Sequence, residues 1–174
     1  MIFNSIKLSA ARKKVAQLVE QQSSKSFPGK PGSLGIIIDS KHEWALPVLL
    51  ELKNNLKISE KNFKVIFYSS NKTKPADLDC SVFNLQDFDS KGGLINKELE
   101  DISSNGVDLL ITFAAENNTT AHLITAYFKA GLKVGRFQQN LALYDLILQT
   151  EDDAELFVEE LIKYLKRLTK AYNE

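Results

Sequence analysis

Three stretches of the chain, LGIIID at 34–39, FKVIFYS at 63–69 and VDLLITFAA at 107–115, are short and almost continuously apolar. Runs of that length, rich in Ile and Val and bounded by polar or turn residues, predict strands buried on both faces. Between them the period changes. EWALPVLLELKNNLK at 43–57 puts Trp44, Val48, Leu49, Leu52 and Leu56 on one helical face, with Pro47 compatible only with a first turn. CSVFNL at 80–85 predicts a short third strand, and LINKELEDISSNG, after Gly92 and Gly93, a helix ending at Asn105 and Gly106. A helix over 118–130 is expected to stop at Gly131, followed by strands at LKVGRF (132–137) and LYDLILQ (143–149). DDAELFVEELIKYLKRLTKAY then reads as a long amphipathic helix, with acids in its first turn and bases in its last. Residues 70–92 carry the weakest strand signals and fit a long surface loop equally well. Apolar strands alternating with helices predict an α/β three-layer sandwich, with a mostly parallel, Rossmann-like sheet joined by right-handed crossovers.

The N-terminal part reads differently. SIKLSAARKKVAQLVEQQ at 5–22 spaces Ile6, Ala10, Lys13 or Lys14, and Leu18 along one side with Val15 beside them, an amphipathic helix with a narrow apolar stripe. SSKSFPGKPGS at 23–33 has the composition of a connector. The expected organisation is a basic helix and linker over 1–32 and a single α/β domain over 33–174. Charge sharpens the division: residues 1–32 hold six bases against Glu20, so this segment carries +5 and, in a chain of net charge zero, the rest carries −5. An acidic body argues against general nucleic-acid binding, whereas Lys7, Arg12, Lys13 and Lys14 form a candidate partner-binding face for phosphates, anionic lipid or an acidic protein. The plainer alternatives are a solvated helix face, packing of the stripe on the sheet, or a homodimer through it.

Cys80 is the single cysteine and the histidines are two, without metal-ligand spacing, so neither a disulfide scaffold nor a zinc site is expected. Lys7 and the run Arg12, Lys13, Lys14 interrupt any apolar core near the N-terminus, so no signal peptide or membrane span is expected there and the cytoplasm is the expected location.

In a parallel sheet, residues just past the carboxyl ends of the strands converge on one crevice. Those positions hold Asp39, Ser40 and His42 after the first strand, Asn118, Thr119, Thr120 and His122 after the fourth, and Arg136 after the fifth. Together they form a candidate ligand-binding set: a helix N-terminus to meet a phosphate, an acid to orient a ribose, an arginine to neutralise charge. Helix capping by Asn118 or Thr119, and by Asp39 with Ser40, explains the same residues without a ligand. The glycines of a dinucleotide fingerprint or P-loop are missing from the turn DSKHEW, so no cofactor is expected. The acids Asp77, Asp79, Asp87 and Asp89 read as a solvated loop and lack the spacing of a calcium loop.

The basic N-terminal helix, GIIIDS, VDLLITF, LKVGRF and LYDLILQ with a terminal amphipathic helix together resemble an uncharacterised family of Bacteroidota proteins, a domain of unknown function. That resemblance implies the fold and a bacterial cytoplasm and supplies no catalytic residues. VDLLITF followed by His122 and Leu123 and then GLKVG is also similar to the donor-binding half of heptosyltransferase-like glycosyltransferases. In that family a Thr-Gly turn precedes the helix, whereas here the turn is AENNTT, without the glycine, and 174 residues supply one such domain rather than two. The first functional expectation is therefore a noncatalytic accessory protein whose basic helix docks a partner such as a ribonucleoprotein. The alternative is a binder or transferase for a phosphorylated or nucleotide-linked small molecule at the strand ends, and whether the chain is an enzyme is left open.

Overall fold

The computed structural model describes residues 2–22, 26–138 and 142–172. Six strands form one parallel sheet in the order β3-β2-β1-β4-β5-β6: β1 Leu34–Asp39, β2 Phe63–Tyr68, β3 Ser81–Phe83, β4 Val107–Phe113, β5 Ala130–Gly135 and β6 Leu146–Ile147. This is the doubly wound order, in which the chain reverses direction across the sheet between β1 and β4. All six residues of β1 are buried, as the unbroken apolar run requires of a central strand.

Two apolar clusters lie on opposite faces. On one, α2 (Leu46–Asn55) and α5 (Ala154–Tyr172) pack Leu49, Leu52, Phe157 and Leu161 against Ile36, Ile38 and Ile111. On the other, α1 (Ile2–Gln21), α3 (Lys97–Asn105) and α4 (Thr119–Tyr127) bring Ala11, Val15, Leu99 and Leu123 against Ile37, Ile66 and Leu110. A fold of this kind needs helices on both faces, because its central strands β1 and β4 are buried on both.

The N-terminal helix packs on the body, one of the plain alternatives above. Its buried face is Ala11 and Val15, with Leu18 and Val19 beside them, whereas Ile6 of the expected stripe is 56% exposed. Gln22 adds a hydrogen bond to the Ala126 carbonyl at the end of α4. The packing accounts for α4 as well: residues Thr120 to Ala126 are all buried, and a helix with no solvent face must be covered on its outer side.

Several expected boundaries shift. Residues 40–45 form a tight 3-10 turn before α2, and Pro47 falls in the first turn of that helix as expected. Helix α4 ends at Tyr127, and Gly131 lies inside β5, where a side chain would meet the Asp108 carbonyl 2.8 Å away. Gly106 does close α3: its φ is +68°, and a β-carbon there would stand 2.4 Å from the Lys129 carbonyl. The strand expected over 143–149 is reduced to Leu146–Ile147. In the uncertain stretch 70–92, β3 is followed by a capped turn in which Asp87 is buried, bonded to Lys72, the Asn84 amide and Asn96. The solvated-loop reading of Asp87 is thus corrected. Two of its three partners, Lys72 and Asn96, lie 15 and 9 positions away and are invisible in a local window.

Candidate functional site

The carboxyl ends of β1 and β4 diverge at the reversal point, and Asp39, the last residue of β1, lies between them at 1% exposure. Its carboxylate is fully engaged. One oxygen faces His42 Nδ1 at 2.5 Å, and the other accepts from the Ala115 amide at 2.8 Å and from Asn118 Nδ2 at 3.1 Å. Burial alone pushes this acid upward, but the bonds from His42, Ala115 and Asn118 outweigh it and hold Asp39 below the usual carboxylate range. Asp39 therefore does not cap the turn that follows it, which receives no side-chain cap bond. It fastens the end of β1 to the loop after β4.

The network extends through His42. Its Nε2 faces Arg136 Nη1 at 2.9 Å, and since a guanidinium only donates, that nitrogen is the acceptor and Nδ1 carries the proton given to Asp39. Arg136 is 2% exposed, its guanidinium lies 4.1 Å from the centre of the Phe113 ring, and its Nη2 donates to the Glu151 carbonyl and to Asp152 Oδ1, the latter at 2.7 Å. The run Asp39, His42, Arg136, Asp152 thus links β1, β5 and the start of α5 beneath the same edge. Glu151 and Asp152 were absent from the sequence-based set because their role depends on a loop returning to Arg136.

AENNTT, residues 115–120, both caps a helix and lines a cavity. Asn118 accepts from the Ala121 amide at 3.0 Å as the N-cap of α4 while its amide group reaches Asp39. Beside this clamp is a cavity of about 300 Å³. Its wall comes from Asp39, Ser40 and Lys41 after β1, from Tyr68 and Ser70 at the end of β2, from Ala115 and Asn117 to Thr120 after β4, and from Leu8 of α1. Of the expected set, Asp39, Ser40, Asn118, Thr119 and Thr120 meet at this cavity, and His42 and Arg136 stand behind it, bonded to Asp39 directly or in turn. His122 turns elsewhere: Nδ1 pairs with the Tyr144 hydroxyl at 2.7 Å and Nε2 with the Glu116 carbonyl at 3.0 Å. The carbonyl can only accept, so Nε2 holds the proton, and burial lowers the pKa of this ring. Ser40 and Lys41 are the exposed members of the first wall.

The four basic residues proposed for a partner are divided by the packing of α1. Lys7 donates to the Phe88 carbonyl at 3.0 Å and Lys14 to Gln17, whereas Arg12 and Lys13 face outward. Among the described residues, no group of His, Cys, Asp and Glu has metal-binding geometry, and no helix is long and apolar enough to cross a membrane.

Residues 7–168 match the sequence pattern of a family of unknown function, DUF6913. The chain belongs to that family. The match runs from within α1 to within α5 and so spans all six strands of this chain and most of the helix that covers α4. No curated protein and no solved structure matches the chain.

Proposed function

We propose that this DUF6913 protein binds a small phosphorylated or nucleotide-linked molecule in the cavity between the ends of β1 and β4. The observation carrying the reading is the position and chemistry of that cavity. It lies at the reversal point of a doubly wound sheet, where such folds hold ligands, and Ser40, Ser70, Thr119, Thr120 and Asn117 offer hydroxyls and an amide beside Lys41 and the N-terminus of α4. At about 300 Å³ it has room for a ligand of sugar-phosphate size. Binding is favoured over catalysis because Asp39, the acid in its wall, already receives three donors. The pattern shared with heptosyltransferase-like donor domains rests on His122 and Leu123, both buried residues of α4 that do not line the cavity, so it lends no support to a transferase reaction there.

The test is thermal unfolding against sugar phosphates, nucleotides and nucleotide sugars. A ligand at a hundred times its dissociation constant adds about 2.7 kcal/mol and, at this chain length, raises the midpoint by about 5 to 10 °C. Thr120→Val is expected to remove the shift while leaving the ligand-free midpoint within about 2 °C. A panel without shifts would overturn the reading.

A second reading has its own observation. Ile2, Phe3 and Ile6 are 80%, 68% and 56% exposed at the tip of α1, with Arg12 and Lys13 exposed further along. An apolar tip beside outward bases supports docking of a partner, a ribonucleoprotein or a second copy of the chain. Phe3→Ser with Ile6→Ser is expected to abolish co-sedimentation with ribosomes or to leave a monomer, and binding through Arg12 and Lys13 is expected to weaken steeply with salt.

A further inference from the structure

A second cavity, of about 440 Å³, opens on the same face of the sheet between the C-terminal half of α1, the end of α4 and β5. Lys133 forms part of its wall. This side chain points from β5 toward the α1 and α4 layer, because its neighbours Leu132 and Val134 belong to the opposite core. It is 4% exposed, and its Nζ is buried without a hydrogen bond. The nearest acid does not answer it: Asp145 spends its Oδ2 on the Lys133 backbone amide at 2.7 Å and forms no ion pair with the amine. Burial pushes the ammonium down to about 8, with Asp145 opposing only in part.

A buried amine without a partner is costly, and two arrangements relieve it: loss of the proton, or arrival of an anion. The rest of the cavity selects the anion. Leu18, Val19, Phe128 and Leu143 supply apolar wall, and the charged residues at the rim, Lys129 and Asp145, are exposed. One buried positive charge among apolar side chains matches a single negative charge on an apolar stem, and the rim charges Lys129 and Asp145, opposite in sign and exposed, add no net charge to it. No hydrogen bond holds the amine in place, so turning it toward a ligand breaks none.

We propose that this cavity binds a small apolar monocarboxylate, with Lys133 as its counter-charge. The site is separate from the crevice at β1 and β4 and stands or falls independently of it.

Titration calorimetry of the full chain at pH 7 with octanoate, and with 1-octanol as the uncharged probe of equal length, tests the proposal. Octanoate is expected to bind one to one and octanol at least about tenfold more weakly, a difference of about 1.4 kcal/mol. Lys133→Met, which keeps the stem and removes the charge, is expected to bring octanoate down to the level of octanol. Affinity for octanoate is also expected to fall as pH rises above about 8, where the free amine loses its proton. The other titratable groups at the cavity are Tyr127, which burial raises, and the rim residues Lys129 and Asp145. Equal binding of the two probes, absence of saturable octanoate binding at millimolar concentration, or unchanged binding in Lys133→Met would each overturn the assignment. If that variant does not fold, Lys133→Gln gives the same decision: octanoate bound no better than octanol supports the assignment, and octanoate bound as tightly as by the wild-type chain refutes it.

Discussion

Asp39 holds three donors that have no other described acceptor: the His42 ring N–H, the Ala115 amide and the Asn118 side-chain amide. Each costs about 1–3 kcal/mol if left buried and unpaired, so Asp39→Ala is expected to destabilise the fold by about 3 kcal/mol or more in urea unfolding. Asp39→Asn keeps the shape but turns one acceptor into a donor, and is expected to fall between. The same residues set the response to pH. Asp39 titrates below its ordinary value of 3.8 in the fold, so its contribution is present above that value and is lost as pH falls through the lower folded one. His122 is lowered from 6.5, so the unfolded chain takes up its proton first and stability declines as pH drops below about 6.5; His122→Gln is expected to flatten that part of the profile. Lys133 acts at the other end: between about 8 and 10.5 the unfolded chain binds the extra proton, stability rises with pH across that window, and Lys133→Met removes the rise.

At the scale of elements, α1 and α4 depend on one another. Val15 of α1 is 7% exposed in the cluster that covers α4, and Val15→Asp is expected to lower stability by several kcal/mol, because a carboxylate there has no counter-charge in an apolar contact. Asn118→Ala removes both the cap of α4 and a bond to Asp39, with an expected cost of about 1–2 kcal/mol. Much at this scale was legible in the sequence: the apolar runs predicted β1, β2 and β4, and Gly106 marked the end of α3. The buried face of α1 was less so. Ile6 is the larger apolar residue, but Ala11 makes the contact, because a small side chain lets one helix approach another closely. The burial of α4 from Thr120 to Ala126 shows only in the fold, and tertiary packing identifies α1 as the helix that covers it.

For the whole molecule, the strand order decides where chemistry is possible. Alternating strands and helices implied a parallel sheet, yet no local pattern fixes which strands are neighbours; that follows from crossovers of 20 or more residues, such as the one joining β3 to β4. Once β1 and β4 lie side by side, Asp39, Asn118 and Thr120 meet at one cavity although some 80 residues separate the first from the others, as hydrogen bonds spanning 76 and 79 positions show. His122, by contrast, shared the strand-end neighbourhood in sequence but turns away from the cavity, because its place one turn into a fully buried helix aims it at Tyr144. The cavity at the strand reversal is the place where the fold brings polar side chains together for the proposed ligand. Its most direct test is a titration of the isotopically labelled protein with the sugar phosphates and nucleotides that raise its unfolding temperature, followed by amide resonances. Saturable shifts concentrated on Ser40, Lys41 and residues 117–120 are expected; shifts confined to other surfaces, or none at millimolar ligand, would contradict binding in the cavity.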